Sequence, residues 1–283
     1  MLVSAIRAVT GAAVEIGWVT AHAVTYPLGL LRDRGDDLDP RLVTLTGLPP
    51  ARRGLLASDV EAATTPIVLI HGIVDNRTIF TRMRRDLRRR GFGCIRTFSY
   101  GPHTSDLRAA AGRFGAFVEA LCEETGAERV HVIGHSLGGL IARYYAQSLD
   151  GSDRVSTLVT LGTPHAGTRA AHLLPHSLVR QLRPGSDVIA ELARPAPRCT
   201  TRFLVFSSDI DQLIVPTRNA ALHHLDLDVT NVLVSGVGHM SMPIHGRIVH
   251  ETCAALAQRT PDARTAEPAT ARLTRATPTV TPP

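Results

Sequence analysis

From residue 66 onward the chain carries six short apolar runs, at 66–70, 94–98, 129–133, 155–161, 203–206 and 231–234. They are rich in Val and Ile, and the one at 66–70 is wholly apolar. Strands covered on both faces read this way, whereas a half-exposed strand alternates. Between them the apolar period lengthens to that of a helix, as in Ile79, Phe80, Met83 and Leu87, and again over 107–122, 137–149 and 242–256. Strand alternating with helix, with enough chain for each crossover, predicts an α/β fold. Its sheet should be mostly parallel with helices on both faces.

One segment breaks the rhythm. Residues 165–200 hold two leucine-bearing helical pieces, 170–182 and 186–192, parted by Arg183-Pro184-Gly185. An excursion over one end of the sheet is expected there, either a lid or cap or an ordinary surface insertion. The ends differ from the body. Residues 1–31 are apolar except for Arg7 and Glu15, and a polar connector carries the chain to 63. An N-terminal helical arm, a membrane-surface attachment and a secretory signal all compete for that segment. Glu15 interrupts a signal-like block, and the uncharged run from 16 to 31 is short for a membrane span and holds His22 and Pro27. A cytoplasmic or membrane-associated placement is therefore favoured over secretion. The catalytic domain is expected over 64–258, followed by a disordered Thr/Pro/Ala/Arg tail over 259–283.

Composition removes several chemistries. All 31 basic residues are Arg, so Schiff-base and lysine-nucleophile enzymes are excluded. Four Cys without a Cys-x-x-Cys pair argue against a structural zinc site, and no metal or organic cofactor is expected. The net charge of +6 comes without a helix-turn-helix, zinc-finger or RNA-binding signature, so no nucleic-acid partner is expected. Arg82, Arg84, Arg85, Arg88, Arg89 and Arg90 crowd one stretch, opposed by Asp86. A solvated helix face is one reading. Peripheral membrane contact, together with the apolar N-terminus, is the other.

The informative string is Gly134-His135-Ser136-Leu137-Gly138-Gly139, directly after a strand and before a helix. A serine in such a turn is lifted clear at the strand's end and meets the amides of a helix start. Glycine two residues to either side avoids collision with neighbouring backbone. A serine needs a base, and the base needs an orienting acid. After the run at 203–206 stand two acids, Asp209 and Asp211, of which Asp211 is preferred and Asp209 is the alternative. After the run at 231–234 comes Gly236-Val237-Gly238-His239, which nominates His239 among 13 histidines. His135 reads as a packing or hydrogen-bonding neighbour of the serine. The oxyanion hole would use the backbone N–H groups of Leu137 and of Ile73, the latter in the loop opened by His71-Gly72.

These motifs, with Gly162-Thr163-Pro164-His165-Ala166-Gly167, resemble the α/β-hydrolases of the bacterial lipase/esterase type, including the triacylglycerol-lipase-like enzymes, over residues 64–258. The resemblance implies Ser136 as nucleophile, Asp211 as acid, His239 as base, and a small-molecule or lipid ester as substrate. Acyl transfer to another alcohol, thioester cleavage, and a non-catalytic binding module on the same fold remain the alternatives.

Overall fold

A computed structural model describes residues 60–73, 75–101 and 103–257. The expected arm, most of the connector and the C-terminal tail lie outside the described residues. A short helix, α1 (Val60–Thr64), opens the described chain. It closes at Thr65-Pro66, where proline disfavours helical backbone in the residue before it.

All six expected strands form: β1 (Ile67–Ile70), β2 (Ile95–Phe98), β3 (Val130–His135), β4 (Val155–Leu161), β5 (Arg202–Ser208) and β6 (Asp228–Val234). They make one parallel sheet in the order β2-β1-β3-β4-β5-β6. Adjacent residues of one strand feed opposite layers. Val68 and Ile70 enter one core while Ile67 and Leu69 enter the other. Each such side chain, fully withdrawn from water, contributes about 1.5–3 kcal/mol.

The first layer is built by α3 (Leu107–Thr125) and α4 (Leu137–Ser148). The second is built by α2 (Thr81–Arg89) and, at the end of the described chain, a helix over Gly246–Leu256. In α2 the pattern resolves as read, with Met83 and Leu87 buried. Asp86 lies 3.7 Å from both Arg82 and Arg89, which relieves some of the crowding of positive charge. Cys94, Cys122 and Cys253 are buried free thiols, and Cys199 is half-buried.

The excursion after β4 differs in detail from the two helical pieces expected. It forms a 3-10 turn (Arg169–His172) and two short helices, α5 (Ser177–Arg180) and α6 (Asp187–Leu192). Pro175 and the Pro184-Gly185 pair interrupt it, because proline cannot supply the amide that a continuous helix needs. Leu178, Val179, Leu182, Val188 and Leu192 are buried in the first layer. Arg108 grips Glu191 through two bonds of 3.0 and 2.8 Å, and Tyr144 Oη donates to the same carboxylate at 2.8 Å. Residues 172–176 are the exposed part of the turn that precedes α5.

Candidate active site

The sheet order reverses at β1, whose neighbours β2 and β3 follow it in sequence on opposite sides. A crevice forms at the carboxyl ends of strands at such a reversal, and Ser136 stands at the end of β3 beside it. Ser136 has φ 52° and ψ −121°. Among the described residues the only other non-glycine with positive φ is Asp150. A non-glycine held there costs about 1–3 kcal/mol, so the surroundings must impose it. They do so through backbone. Ser136 N–H donates to the Leu161 carbonyl at 2.9 Å, while the Ser136 carbonyl accepts from Thr163 Oγ1 at 3.0 Å and from Gly139 N–H at 3.1 Å.

The flanking glycines have a steric reason. A Cβ at Gly134 would lie 2.5 Å from Gly139 N and Cα, and one at Gly138 would run into the Ile70 carbonyl. The first turn of α4 therefore rests directly on the end of β1. A Cβ at Gly72 would lie 3.1 Å from Ser136 Cβ, so the loop that carries Ile73 passes against the serine. That loop is fixed by Tyr100, a residue outside the sequence motifs. Its ring stacks on His71 at 4.7 Å, and its hydroxyl donates to the His71 carbonyl at 3.1 Å.

The structure joins His239 to Asp211 and not to Asp209. His239 Nδ1 donates to Asp211 Oδ2 at 2.8 Å, with the two residues 2% and 3% exposed. Asp211 Oδ1 accepts from the amides of Leu213 and Ile214 at 2.9 and 3.0 Å. Burial works against the Asp211 charge, but His239 and these amides outweigh it and hold the carboxyl below its usual range. Asp209 has a different task. Its Oδ1 accepts from Gly236 N–H at 2.8 Å, tying the acid's loop to the histidine's loop. Ser208 Oγ adds a second tie to the Val237 carbonyl.

Gly162 connects the pieces. Its N–H extends the ladder to the Phe206 carbonyl, and a Cβ there would lie 3.0 Å from His239 Nδ1 and 3.1 Å from Asp211 Oδ2. The next residue, Thr163, holds the serine's carbonyl. His165 is buried against Thr160 Oγ1 and Arg143, and burial, reinforced by the Arg143 charge, holds it well below the usual imidazole range. His135 is also buried; its Nε2 donates to the His239 carbonyl at 3.1 Å and its Nδ1 faces Asp75 Oδ2 at 3.6 Å. Asp75 carried no sequence signal of its own. Among the described residues no group of three or more His, Cys, Asp or Glu side chains is gathered as a metal site.

A family model described as the alpha/beta hydrolase fold matches residues 65–187. A triacylglycerol lipase of Burkholderia plantarii is 30% identical over 161 residues, which is 54% of this chain and 42% of that protein. A triacylglycerol lipase of Pseudarthrobacter phenanthrenivorans is 31% identical over 122 residues, 40% of this chain and 38% of the relative. The chain thus spans about two fifths of the length of these relatives. The mature form of Bacillus licheniformis lipase BlEst2 superposes with a TM-score of 0.58 at 17% identity, covering 70% of this chain and 93% of that one. The match in fold and the bacterial relatives together place the chain: it has the α/β-hydrolase fold and is similar, over part of its length, to bacterial lipases.

Proposed function

We propose that the protein is a serine hydrolase that cleaves carboxylic esters of apolar acyl groups through an acyl-enzyme intermediate. The observation that carries this reading is the buried 2.8 Å contact between His239 and Asp211, set across Gly162 from a serine on a strained turn. In the proposed reaction His239 Nε2 takes the hydroxyl proton as Ser136 Oγ attacks the ester carbonyl. Asp211 holds the ring with Nδ1–H toward itself and stabilises the imidazolium that forms. The amides of Ile73 and Leu137 receive the oxyanion, each contributing about 3 kcal/mol to the barrier reduction. The tetrahedral intermediate collapses as His239 returns the proton to the leaving alcohol. Water then attacks the acyl-enzyme by the same route and releases the acid.

The apolar character of the substrate rests on the rim. Leu213 and Val215 lie exposed in the loop that carries the acid. Thr168 binds both of them: its hydroxyl donates to the Leu213 carbonyl and accepts from the Val215 amide. Leu173 and Leu174, just beyond, are also exposed. The relatives named as triacylglycerol lipases support an ester with an apolar acyl chain.

The test is labelling by a fluorophosphonate probe with site mapping, alongside hydrolysis of p-nitrophenyl esters. Ser136 is expected to carry the label, and Ser136→Ala to lose turnover by more than about a thousandfold with the fold intact. Label on another residue, or activity retained in that variant, overturns the reading.

A further inference from the structure

The reaction above uses one carboxylate and one imidazole, yet a second such pair lies behind it. His135 and Asp75 are each 1% exposed at the side chain, and His135 Nδ1 lies 3.6 Å from Asp75 Oδ2. At its other end His135 Nε2 is 3.1 Å from the carbonyl oxygen of His239. The two imidazole rings are 4.8 Å apart, tilted by 46°. The pair is enclosed on the side of the β1 loop, where a Cβ at Gly72 would approach His135 Nδ1 to 3.2 Å. Asp75 is also bound to its own loop, because its Oδ1 accepts from Asn76 N–H at 2.7 Å.

The donor and acceptor inventory constrains the protons. A backbone carbonyl only accepts, so His135 Nε2 must carry hydrogen. His135 Nδ1 then points at a carboxylate oxygen, and two bare lone pairs facing each other away from water would repel. A proton on either Nδ1 or Oδ2 removes that repulsion, the two atoms standing in charge contact at 3.6 Å. The pair is neutral overall wherever that proton resides, as imidazolium with carboxylate or as imidazole with carboxylic acid. Both nitrogens of His135 are committed, which leaves it unable to serve Ser136 as a base.

We propose that Asp75 and His135 form a second, proton-sharing pair whose task is to position the base by holding His239 through its backbone carbonyl. This rests on the reading of His239 as the base of a serine hydrolase. Asp211 sets the ring's tautomer and Nδ1 direction, whereas the second pair sets where the histidine's main chain lies. The loop of His239 is otherwise drawn toward β5 by the bonds to Asp209 and Ser208. The pull of His135 comes from β3, the strand that also carries the nucleophile, so base and serine are referenced to one strand. A misplacement near 1 Å can cost about a hundredfold in rate.

Four variants test this. Asp75→Leu and His135→Leu remove the pair, and kcat should fall by tenfold or more with KM changed by less than about twofold. Asp75→Asn offers an amide N–H to His135 Nδ1 without needing the shared proton. His135→Gln keeps an N–H for the His239 carbonyl. Both conservative variants should stay within about threefold of the parent, a rescue that a filler of space would not give. Folding is checked for each by thermal melting. The proton assignment is read separately by 15N NMR of histidine-labelled protein, where His135 should be protonated at Nε2. A bare Nε2 overturns the proposal, as do leucine variants with the parent's kcat. Conservative variants as damaged as the leucine ones overturn it too. If the parent takes no label at Ser136, the hydrolase reading falls instead, and the NMR assignment still decides whether the pair shares its proton.

Discussion

His239 Nδ1 and Asp211 Oδ2 stand 2.8 Å apart although 28 residues and an entire strand separate them in the chain. Both lie in loops that leave the same edge of the sheet, and the contact is shielded from water. Asp209, two residues earlier, is turned to the Gly236 amide instead. The two acids should therefore separate cleanly. Asp211→Asn is expected to lower kcat by about 10⁴-fold, since the ring loses its tautomer partner. Asp209→Asn, which retains an acceptor for Gly236, should stay within a few-fold of the parent. Steady-state kinetics on a soluble p-nitrophenyl ester makes the comparison, and the reverse ranking would move the acid to Asp209.

Contact between α4 and the end of β1 leaves no room for a methyl group. Gly138→Ala would push the new carbon into the carbonyls of Ile70 and His71 and displace the loop that carries Ile73. Activity should fall by a hundredfold or more, in line with a misplacement near 1 Å. Gly112→Ala, on the exposed face of α3 with nothing near the added carbon, should instead gain up to about 1 kcal/mol without changing turnover. Urea denaturation and kinetics on the two variants distinguish local collision from general intolerance of substitution.

His131, in β3, should make the fold acid-sensitive. It is buried beside Ser156 Oγ at 2.9 Å. Burial first, and the charges of Arg202 and Arg129 after it, push its pKa down to about 4 from the ordinary 6.5. Between those two values the unfolded chain holds more protons than the folded one, so stability is full above about pH 6.5 and declines as pH falls toward 4. The loss attributable to this residue is about 3 kcal/mol. Denaturation at pH 7 and pH 4.5 should show a smaller decline in His131→Gln than in the parent. Equal declines would assign the acid sensitivity to other groups.

Arg143 fastens the excursion to the body with neutral acceptors: Gln147 Oε1 at 2.9 Å, the His165 carbonyl at 3.2 Å and the Leu192 carbonyl at 2.7 Å. Burial lowers its pKa to about 9. Arg143→Met keeps the length of the stem but removes every one of these donors, and should cost about 1–3 kcal/mol. Arg143→Lys should not restore it, because a single ammonium cannot reproduce the fork. Urea midpoints measure both, and a fully stable Met variant would show that the acceptors find other donors.

The exposed pair Leu173 and Leu174 tests the acyl preference. Changing both to Ser should depress turnover of long-chain esters severalfold and leave short-chain esters unaffected. Equal loss on both would place the effect on the scaffold rather than on the chain-binding wall.

Much of this arrangement is legible in the sequence. β1 is apolar on both faces and announces itself, whereas β3 and β4 are marked by Val, Ile and Leu around buried His131, Ser156, Thr157 and Thr160. β6 extends three residues before its apolar run at 231–234 because it lies at the edge of the described sheet, where Asp228, Thr230 and Asn231 can face water. Gly134 and Gly138 are legible because their reason is local. Chain order prefers Asp211 and keeps Asp209 as its alternative. Their difference lies in a turn that lets Asp211 accept the amides of residues 213 and 214 while its other oxygen meets a histidine from the next strand's loop. Asp75 was invisible for a similar reason, since its facing group comes 60 residues later and nothing in either neighbourhood advertises the pairing.

Because all six strands run the same way, the loops at their amino ends take no part in the chemistry proposed for the opposite end. Gly126, which closes α3 with φ 69°, and the exposed Glu128 belong to that quiet side. A purification handle or surface tether spliced in around 126–128 would fix the molecule to a support with its reactive mouth turned to the bulk liquid.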